Sequence, residues 1–561
     1  MEHGARLNVP PRALRVTTAA EAAARDRRAI DAGTPSFDLM LQAGTAAASW
    51  LLRECAELLA HGVALHAGSG NNGGDAYIVA AQLARAGVTV RLHASLPPRT
   101  PDARQAAQLA QPYLVHGAPT GRERLVVDGL LGTGHHGPLR DILAADCARL
   151  GVARDGGATL VALDLPSGLD ATTGEVAEGS VPAHVTLSFG TFKRGTLLRR
   201  EHVGRLVLLD IGLRLHGDVP GEHDDEAWCL AGGDTLRALG QTAREADAWT
   251  SHKGVRGRVG IAGGDAGMAG AVVLASLAAL RTGAGLVHAI VHEASVAPVQ
   301  SLVPQALAHC WPLKPTSRQS DDTTTAKQTV VGRPTPGPID ADPRYDALAM
   351  GPGLGRSRAS ATAMQRLLDI HRGTPLVLDA DALWLAADAA NAQGTDTASM
   401  LRQWTRDTPQ VVCTPHPGEF ARLLGTPLPA SWDARAARLI EFAARANCTV
   451  LLKGTPTLVA VPDGQPLWVV PHGTPMLATG GSGDCLTGII ATLLAQRCPA
   501  RDAAVLGATL HGRAAERATA AQGTTRGGTL DDVMRELGAV WADIARAEPR
   551  APYVLNELPA V

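Results

Sequence analysis

Aromatic residues, net charge and long apolar runs are all scarce in this chain of 561 residues. Phe, Trp and Tyr make up only 3% of the sequence, which argues against a stacking platform for single-stranded nucleic acid. The formal net charge of -2 gives no long-range attraction to nucleic acid or to an anionic membrane. The longest apolar run, Met268–Leu280, is too short to span a bilayer. We therefore expect neither nucleic acid nor a membrane as a partner.

The eight cysteines are scattered and form no Cys-x-x-Cys pair, so neither a zinc site nor a disulfide framework is indicated. Near the N-terminus, Glu21, Arg25 and Asp26 are charged where a signal peptide would need an unbroken apolar core. Together these observations predict a cytoplasmic protein.

The length predicts at least two domains, and 45% apolar residues with 19% charged residues suit a globular protein with a large core. Buried strands alternate with helices in both halves, which predicts an α/β fold in each. A polar stretch with Gly and Pro predicts domains at 1–220 and 236–561, joined by a linker at 221–235. Residues 313–342 are rich in Lys, Thr, Ser, Asp and Pro, which is typical of a flexible surface loop.

Small residues between Ala478 and Gly483 lead directly into Asp484, and an apolar helix is predicted over Cys485–Ala495. Glycines let the backbone approach a ligand closely, and the free amides of a first helical turn favour phosphate or a developing negative charge. An aspartate in the same turn can accept a proton from a hydroxyl. The alternative is a Gly-rich turn in which Asp484 only caps the helix.

In the first half, three predicted strands end in polar loops. The first strand, 63–67, leads into a Gly-rich run with Asn71, Asn72 and Asp75, whose oxygens suit a hard cation or a sugar hydroxyl. The run is not a dinucleotide-binding fingerprint, because its glycine spacing differs.

The other two strands, 124–128 and 160–164, end in Asp128 and in Asp164 with Ser167. Because loops after parallel strands emerge at one edge of a sheet, these residues are expected to converge with Asn72. The alternative is that each Asp caps its own turn.

These motifs, in this order, resemble those of the bifunctional NAD(P)H-hydrate repair enzymes, in which an N-terminal epimerase is fused to an ADP-dependent dehydratase. The motifs that carry the resemblance are at residues 71–75, 126–134, 164–170, 251–254, 351–355, 414–419, 453–457 and 481–484. The resemblance implies a Rossmann-like three-layer sandwich for the first half and a ribokinase-like α/β fold for the second.

The resemblance also implies a set of site residues. Potassium ligands are expected at Asn72, Asp128 and Ser167. Hydrate-binding positions in the first half are expected at Asn71, Asn72, Gly73, Gly74, Asp75, Gly132, Thr133, Gly134, His135, His136, Gly137, Pro138 and Asp164. In the second half, hydrate contacts are expected at Ala271, Gly353, His416 and Asp484. Nucleotide contacts are expected at Lys453, Gly454, Thr455, Pro456, Thr457 and Gly483.

The implied function is the repair of hydrated NADH and NADPH. The first half would interconvert the R and S hydrates with K⁺, and the second would dehydrate the S hydrate with ADP and Mg²⁺, giving AMP and phosphate. Asp164 and Asp484 are the expected catalytic residues, and a homo-oligomer is expected. Lys453 is interpreted as orienting the nucleotide, whereas His416 could contact the hydrate or be a rigid structural residue. The chain departs from the family pattern at Tyr77 and Lys193, which puts loop shape in doubt rather than chemistry.

Three other functions compete with this one. A ribokinase-type small-molecule kinase fused to a nucleotide-binding module is the nearest alternative. A non-catalytic binding module is a second, although intact Asp128, Asp164 and Asp484 weigh against a decayed enzyme. A nicotinamide oxidoreductase is the least favoured, because no dinucleotide fingerprint is present.

Overall fold

The computed structural model describes residues 13–114, 119–213, 228–311, 344–464, 466–546 and 551–560. They form two compact units, the first within residues 1–235 and 547–561 and the second within residues 236–546. The loop predicted at 313–342 and the first part of the predicted linker, residues 221–227, lie outside the described residues. In the described part of the chain, no helix combines the length and the apolar character needed to cross a membrane.

The strands of the described residues are β1 (Leu14–Thr17), β2 (Val63–Ala67), β3 (Val90–Ala94), β4 (Leu125–Gly129), β5 (Thr159–Leu163), β6 (Val185–Phe189), β7 (Phe192–Lys193), β8 (Arg205–Leu209), β9 (Trp228–Leu230), β10 (Arg258–Gly263), β11 (Leu286–Val291), β12 (Leu307–Cys310), β13 (Ala347–Met350), β14 (Leu376–Leu378), β15 (Val411–Cys413), β16 (Thr449–Leu452), β17 (Thr457–Ala460), β18 (Trp468–Val470) and β19 (Val554–Leu558).

The helices are α1 (Ala19–Asp31), α2 (Ser36–Glu54), α3 (Ala56–Leu59), α4 (Asn71–Arg85), α5 (Pro101–Ala110), α6 (Asp141–Asp155), α7 (Arg194–Leu198), α8 (Arg200–Val203), α9 (Gly233–Leu239), α10 (Gln241–Glu245), α11 (Ala269–Thr282), α12 (Glu293–Leu302), α13 (Arg358–Ile370), α14 (Ala380–Gln393), α15 (Thr397–Trp404), α16 (Pro417–Leu424), α17 (Trp432–Ala446), α18 (Ser482–Ala495), α19 (Ala500–Gln522) and α20 (Leu530–Ala545).

A seven-stranded sheet of order β19-β8-β6-β5-β4-β2-β3 forms the middle of the first unit. Its strands are parallel, except that β19 runs antiparallel to β8. The strands are short runs of Val, Leu and Ala buried on both faces, as a covered parallel sheet requires. Helices α2, α4 and α5 cover one face, and α6 covers the other. This is the predicted three-layer sandwich.

The second unit has a sheet of order β12-β11-β10-β13-β14-β15-β16-β17-β18. The strands from β12 to β16 are parallel, and β17 and β18 extend the sheet antiparallel. Helices α11 and α18 pack so closely that a Cβ on Gly488 would lie 2.1 Å from the carbonyl oxygen of Ala275. The predicted α/β fold class is therefore confirmed in both units.

Two parts of the predicted domain division need correction. Residues 551–560, assigned to the second domain, lie with the first unit, because β19 pairs with β8 at the edge of its sheet. Residues 228–230, assigned to the linker, form the buried strand β9, which pairs with β1. These short strands were overlooked because their few apolar residues do not stand out from a loop.

Candidate functional sites

In the first unit, the loops that follow β2, β4 and β5 line a cavity of about 980 Å³ at the carboxyl edge of the sheet. Most of the predicted hydrate-binding residues line it, namely Asn71, Asn72, Asp75, Gly132, Thr133, Gly134, His135, His136, Pro138 and Asp164. Gly73, Gly74 and Gly137 are not part of its wall. Gly73 instead packs against backbone, since a Cβ there would lie 2.0 Å from the oxygen of Gly68.

The three predicted potassium ligands meet at the loop after β4, where the amide of Leu131 donates to the Ser167 hydroxyl oxygen at 3.0 Å. The Ser167 hydroxyl donates to Asp128 Oδ1 at 2.6 Å, and the Ser167 amide donates to Asp128 Oδ2 at 2.8 Å. Asn72 Nδ2 donates to the carbonyl oxygen of Leu131 at 2.7 Å. Asn72 is only 8% exposed, and its Oδ1 has no hydrogen-bond partner among the described residues. A buried amide oxygen without a partner, in the same group of loops as the buried carboxylate of Asp128, suits a weakly hydrated cation.

Asp128 also caps its own turn, as the alternative interpretation predicted, because its Oδ1 accepts the amide of Leu130 at 3.1 Å. Its carboxyl is 2% exposed, and burial raises its pKa even though the bonds from Ser167 and Leu130 lower it. The residue therefore holds the loops after β4 and β5 together in addition to any role as a ligand.

Asp164 lies at the end of β5 with a positive φ of 65°, a conformation that turns it out of the strand. Its Oδ1 accepts hydrogen bonds from Lys193 Nζ and, at 3.1 Å, from the amide of Phe189. Lys193 also donates to the carbonyl oxygen of Phe189 at 2.9 Å, and its side chain is only 3% exposed. Sequence reasoning treated Lys193 as a deviation in loop shape, whereas the structure makes it the partner of the expected catalytic acid.

Two more carboxyls share this part of the cavity. The pKa of Asp75 is raised well above its ordinary value by burial and by the nearby charge of Asp164, with Lys193 acting in the opposite direction. Asp26 lines the same cavity and is exposed to it, and partial removal from water together with the charge of Asp164 raises its pKa, while Lys193 opposes the increase. The charge of Asp164 thus raises the pKa values of both Asp75 and Asp26, and the ammonium of Lys193 opposes both increases.

In the second unit, a buried ion pair lies at the carboxyl edge of the sheet. Lys453, which follows β16, donates to Asp379 Oδ1 at 2.7 Å, and Asp379 follows β14. Thr487 of α18 donates to Asp379 Oδ2 at 2.8 Å. Asp379 is 1% exposed, and each of its carboxylate oxygens accepts one of these hydrogen bonds. Sequence reasoning gave Asp379 no role.

Asp484 stands beside this pair in the first turn of α18. Burial raises its pKa to about 7, the neighbouring Asp379 adds to the increase, and Lys453 opposes it. A carboxyl poised near neutral pH is well matched to general base catalysis. The cap of α18 is Gly481, not Asp484, so the capping alternative for Asp484 is wrong.

Two of the glycines before Asp484 have close neighbours. Gly481 has a φ of 92°, and a Cβ on it would lie 2.3 Å from Leu274 Cδ1. A Cβ on Gly483 would lie 3.0 Å from Lys453 Nζ and 3.5 Å from Asp379 Oδ2. The N-terminus of α18 therefore faces the ion pair with its backbone uncovered, which suits an anionic group.

The other predicted contact residues of the second unit lie in two separate places. Gly353 has a φ of 57°, and a Cβ on it would lie 3.1 Å from Ala271 Cβ, so these two expected hydrate contacts adjoin each other. Gly454 and Thr455 are exposed immediately after Lys453, Pro456 is buried, and the Thr457 hydroxyl donates to the oxygen of Gly454 at 3.1 Å.

His416 has a structural role in this unit. It caps α16 by accepting the amides of Gly418 and Glu419 at 3.0 and 3.3 Å, and Glu419 accepts the His416 amide in return. Its side chain is 57% exposed, so the cap leaves part of the imidazole open to solvent. A role in hydrate contact stays a prediction.

The fold and the two sites define a two-unit α/β enzyme with a lysine–aspartate pair at the carboxyl edge of each sheet. Residues 259–537 match the family model described as NAD(P)H-hydrate dehydratase, and residues 36–195 match the model described as YjeF-related protein N-terminus. The chain belongs to the family of bifunctional NAD(P)H-hydrate repair enzymes.

Several relatives match along most of their length. The chain is 34% identical to the bifunctional NAD(P)H-hydrate repair enzyme of Moorella thermoacetica, over 91% of this chain and 93% of that protein. It is 32% identical to the Escherichia coli enzyme of the same name, over 91% of each. A solved structure of the ADP/ATP-dependent NAD(P)H-hydrate dehydratase of Bacillus subtilis is 30% identical and covers 56% of this chain and 97% of that chain, with a TM-score of 0.43.

Proposed function

We propose that this chain repairs hydrated NADH and NADPH by two reactions at two sites. The first unit interconverts the R and S hydrates, and the second dehydrates the S hydrate with consumption of ADP, giving NAD(P)H, AMP and phosphate. The observation that carries the proposal is the position of Asp484, poised near neutral pH beside the Lys453–Asp379 pair at the N-terminus of α18.

Dehydration needs a better leaving group than hydroxide. Asp484 takes the proton of the carbinol hydroxyl while the oxygen attacks the terminal phosphoryl of ADP, and AMP leaves with the electron pair of the broken P–O bond. The carbinol C–O bond then breaks as the ring nitrogen donates its electron pair, phosphate leaves with the electrons of that bond, and the neighbouring carbon gives a proton to water to restore the double bond. The first-turn amides of α18, including that of Gly483, face the phosphoryl charge. Mg²⁺ would arrive with the nucleotide phosphates, because it prefers oxygen ligands.

Epimerisation requires the hydroxyl to leave one face of the carbinol carbon and return to the other. Asp164 is the acid–base group at that oxygen, since its carboxyl lies in the cavity wall. Lys193 is a positioning residue that holds the carboxylate through Oδ1. The neighbouring Asp75, with its raised pKa, can supply the proton that the leaving hydroxide requires.

Potassium is proposed for the first unit on the unpartnered oxygen of Asn72. Asn72, Asp128 and Ser167 would hold the ion, which would supply a single positive charge there. One carboxylate among these three is too little negative charge for a tight Mg²⁺ or Ca²⁺ cage.

The test uses the full chain, a mixture of R and S hydrates, and ADP, with the return of nicotinamide absorbance as the signal. We expect the wild-type protein to restore the absorbance completely and to require ADP. Asp164→Asn should restore only the share that was present as S hydrate, because its second unit still works. Asp388→Asn, on an exposed part of α14, is the matched control and should behave as wild type.

Phosphorylation of a small alcohol with no recovery of absorbance would instead support the kinase alternative, and recovery without ADP would remove ADP from the proposed dehydration. The separation of activities between the two units, the homo-oligomer and the cytoplasmic location also stay predictions. Light scattering of the full chain measures the oligomer, and cell fractionation measures the location.

A further inference from the structure

Two histidines and an aspartate come together in the first unit, outside the wall of the cavity. His66 of β2 and His93 of β3 are register partners, and their ring centroids are 5.4 Å apart. Asp146 of α6 places Oδ1 3.0 Å from His93 Nε2. One ligand atom from each of the three lies within 4.8 Å of the other two. We propose that His66, His93 and Asp146 form a binding site for a divalent transition metal, with zinc the expected ion.

The donor set suits zinc. Two imidazole nitrogens and a carboxylate oxygen are a set of three protein ligands that leaves the fourth tetrahedral position to water. Two ligands of one zinc ion lie little more than 3 Å apart when each is about 2 Å from the metal, which is close to the His93–Asp146 separation. The site uses none of the cysteines, so it carries no Cys-x-x-Cys signal in the sequence.

The burial of His66 and Asp146 favours the binding of an ion. His66 is 4% exposed, and its Nδ1 has no hydrogen-bond partner among the described residues. Asp146 has almost no exposed surface, whereas the His93 side chain is 30% exposed and provides a route of entry.

Arg149 already places a positive charge beside His93 and Asp146. Its Nη1 contacts Asp146 Oδ1 and lies 3.4 Å from His93 Nε2. The Arg149 side chain is 59% exposed, and an ion pair of such a flexible side chain is weak. The guanidinium can therefore turn into solvent when a metal arrives, and the two cations should compete for the same carboxylate.

The experiment uses the full-length protein without a histidine tag, freed of metal by a chelator and then titrated with Co²⁺. We expect one Co²⁺ per chain, with the visible absorption of a four-coordinate site, and its displacement by Zn²⁺. His93→Ala and Asp146→Asn should each weaken binding by about 100-fold or more, since loss of an outer partner alone costs about 10- to 100-fold. Arg149→Ala should tighten binding about fivefold, the weight of one nearby unit charge in water.

His61→Ala is the matched control, because His61 is an exposed histidine of the same unit. It should leave the affinity unchanged. The proposal is overturned if wild type binds Co²⁺ no more tightly than His93→Ala, if His61→Ala weakens binding equally, or if Arg149→Ala fails to tighten it. The increase expected for Arg149→Ala cannot be produced by a variant that merely misfolds, so the test holds even if the ligand variants are unstable.

Discussion

The two candidate sites use the same pair of residue types in different ways. In the first unit, Lys193 binds Asp164, the expected catalytic carboxylate itself. In the second unit, Lys453 binds Asp379, and the expected catalytic residue Asp484 stands beside the pair. The side chain of Lys193 is 3% exposed and that of Lys453 is 21% exposed, so the first pair is closed and the second is open to a ligand.

The comparison shows how an ion pair can tune a third group. Beside a lysine–aspartate pair, another carboxyl feels both the aspartate charge and the loss of water, and its pKa rises. This is the situation of Asp484 and also that of Asp75. Asp484, with a pKa of about 7, is ionised often enough to act as a base. Asp75 therefore occupies in the first unit the place that Asp484 occupies in the second.

The largest effect is expected for Asp484→Asn. The amide keeps the size of the side chain but cannot take the proton of the hydroxyl, so turnover of the S hydrate should fall by about 10²-fold or more. ADP binding, measured by calorimetry, should be retained, and epimerisation by the first unit should be unchanged. Near-normal dehydration by a correctly folded variant would show that Asp484 is not the base.

The variants Lys193→Met and Lys453→Met test the comparison directly, because each removes the cation of one ion pair. Lys193→Met leaves the carboxylate of Asp164 buried without its cation, so we expect the first unit to lose about 3 kcal/mol of unfolding free energy and its epimerase activity. Lys453 is more exposed, so Lys453→Met should cost less stability and mainly impair dehydration. Denaturant unfolding of both variants, with both activities measured, tests this. Equal losses of stability would show that burial does not separate the two pairs.

The strand ends were predictable, whereas their partners were not. Buried runs such as Leu125–Gly129 mark strands, and parallel strands bring their ends to one edge, so the closeness of Asp128 and Ser167 followed from the sequence. The Asp164–Lys193 pair depends on how β7 lies beside β6, and no local pattern encodes that. The strand β19 has only five residues, and nothing in them specifies β8 as the partner.

The pH profile of dehydration should sharpen the difference between the two sites. Because the pKa of Asp484 is raised to about 7 in the protein without ligands and a base must be ionised, kcat/KM should rise as the pH increases through 7. Between pH 6 and pH 8 the ionised fraction grows from about one tenth to about nine tenths, so an increase of nearly tenfold is expected. Initial rates at low concentrations of both ADP and S hydrate measure it. A profile that falls over this range would mean that Asp484 acts as an acid.

The smallest effect concerns the cation site, which only the first unit is proposed to have. Bound at Asn72, Asp128 and Ser167, potassium would hold the loops after β2, β4 and β5 in one arrangement and keep Asp164 in the cavity wall. Epimerisation should then be several-fold faster in potassium than in a bulky organic cation at equal ionic strength, and dehydration of pure S hydrate should not show this difference.

Two variants distinguish a role in binding potassium from a role in organising the loops. Asp128→Ala should abolish the preference for potassium, but it also removes three hydrogen bonds that organise the loops. Asn72→Ala leaves those bonds in place and removes only the unpartnered Oδ1 and the bond to Leu131, so it is the cleaner test. Asp155→Ala, at the exposed end of α6, should keep the full preference. Equal epimerisation rates of the wild-type protein in both salts would exclude the cation from the mechanism and leave Asp128 as a loop-organising residue alone.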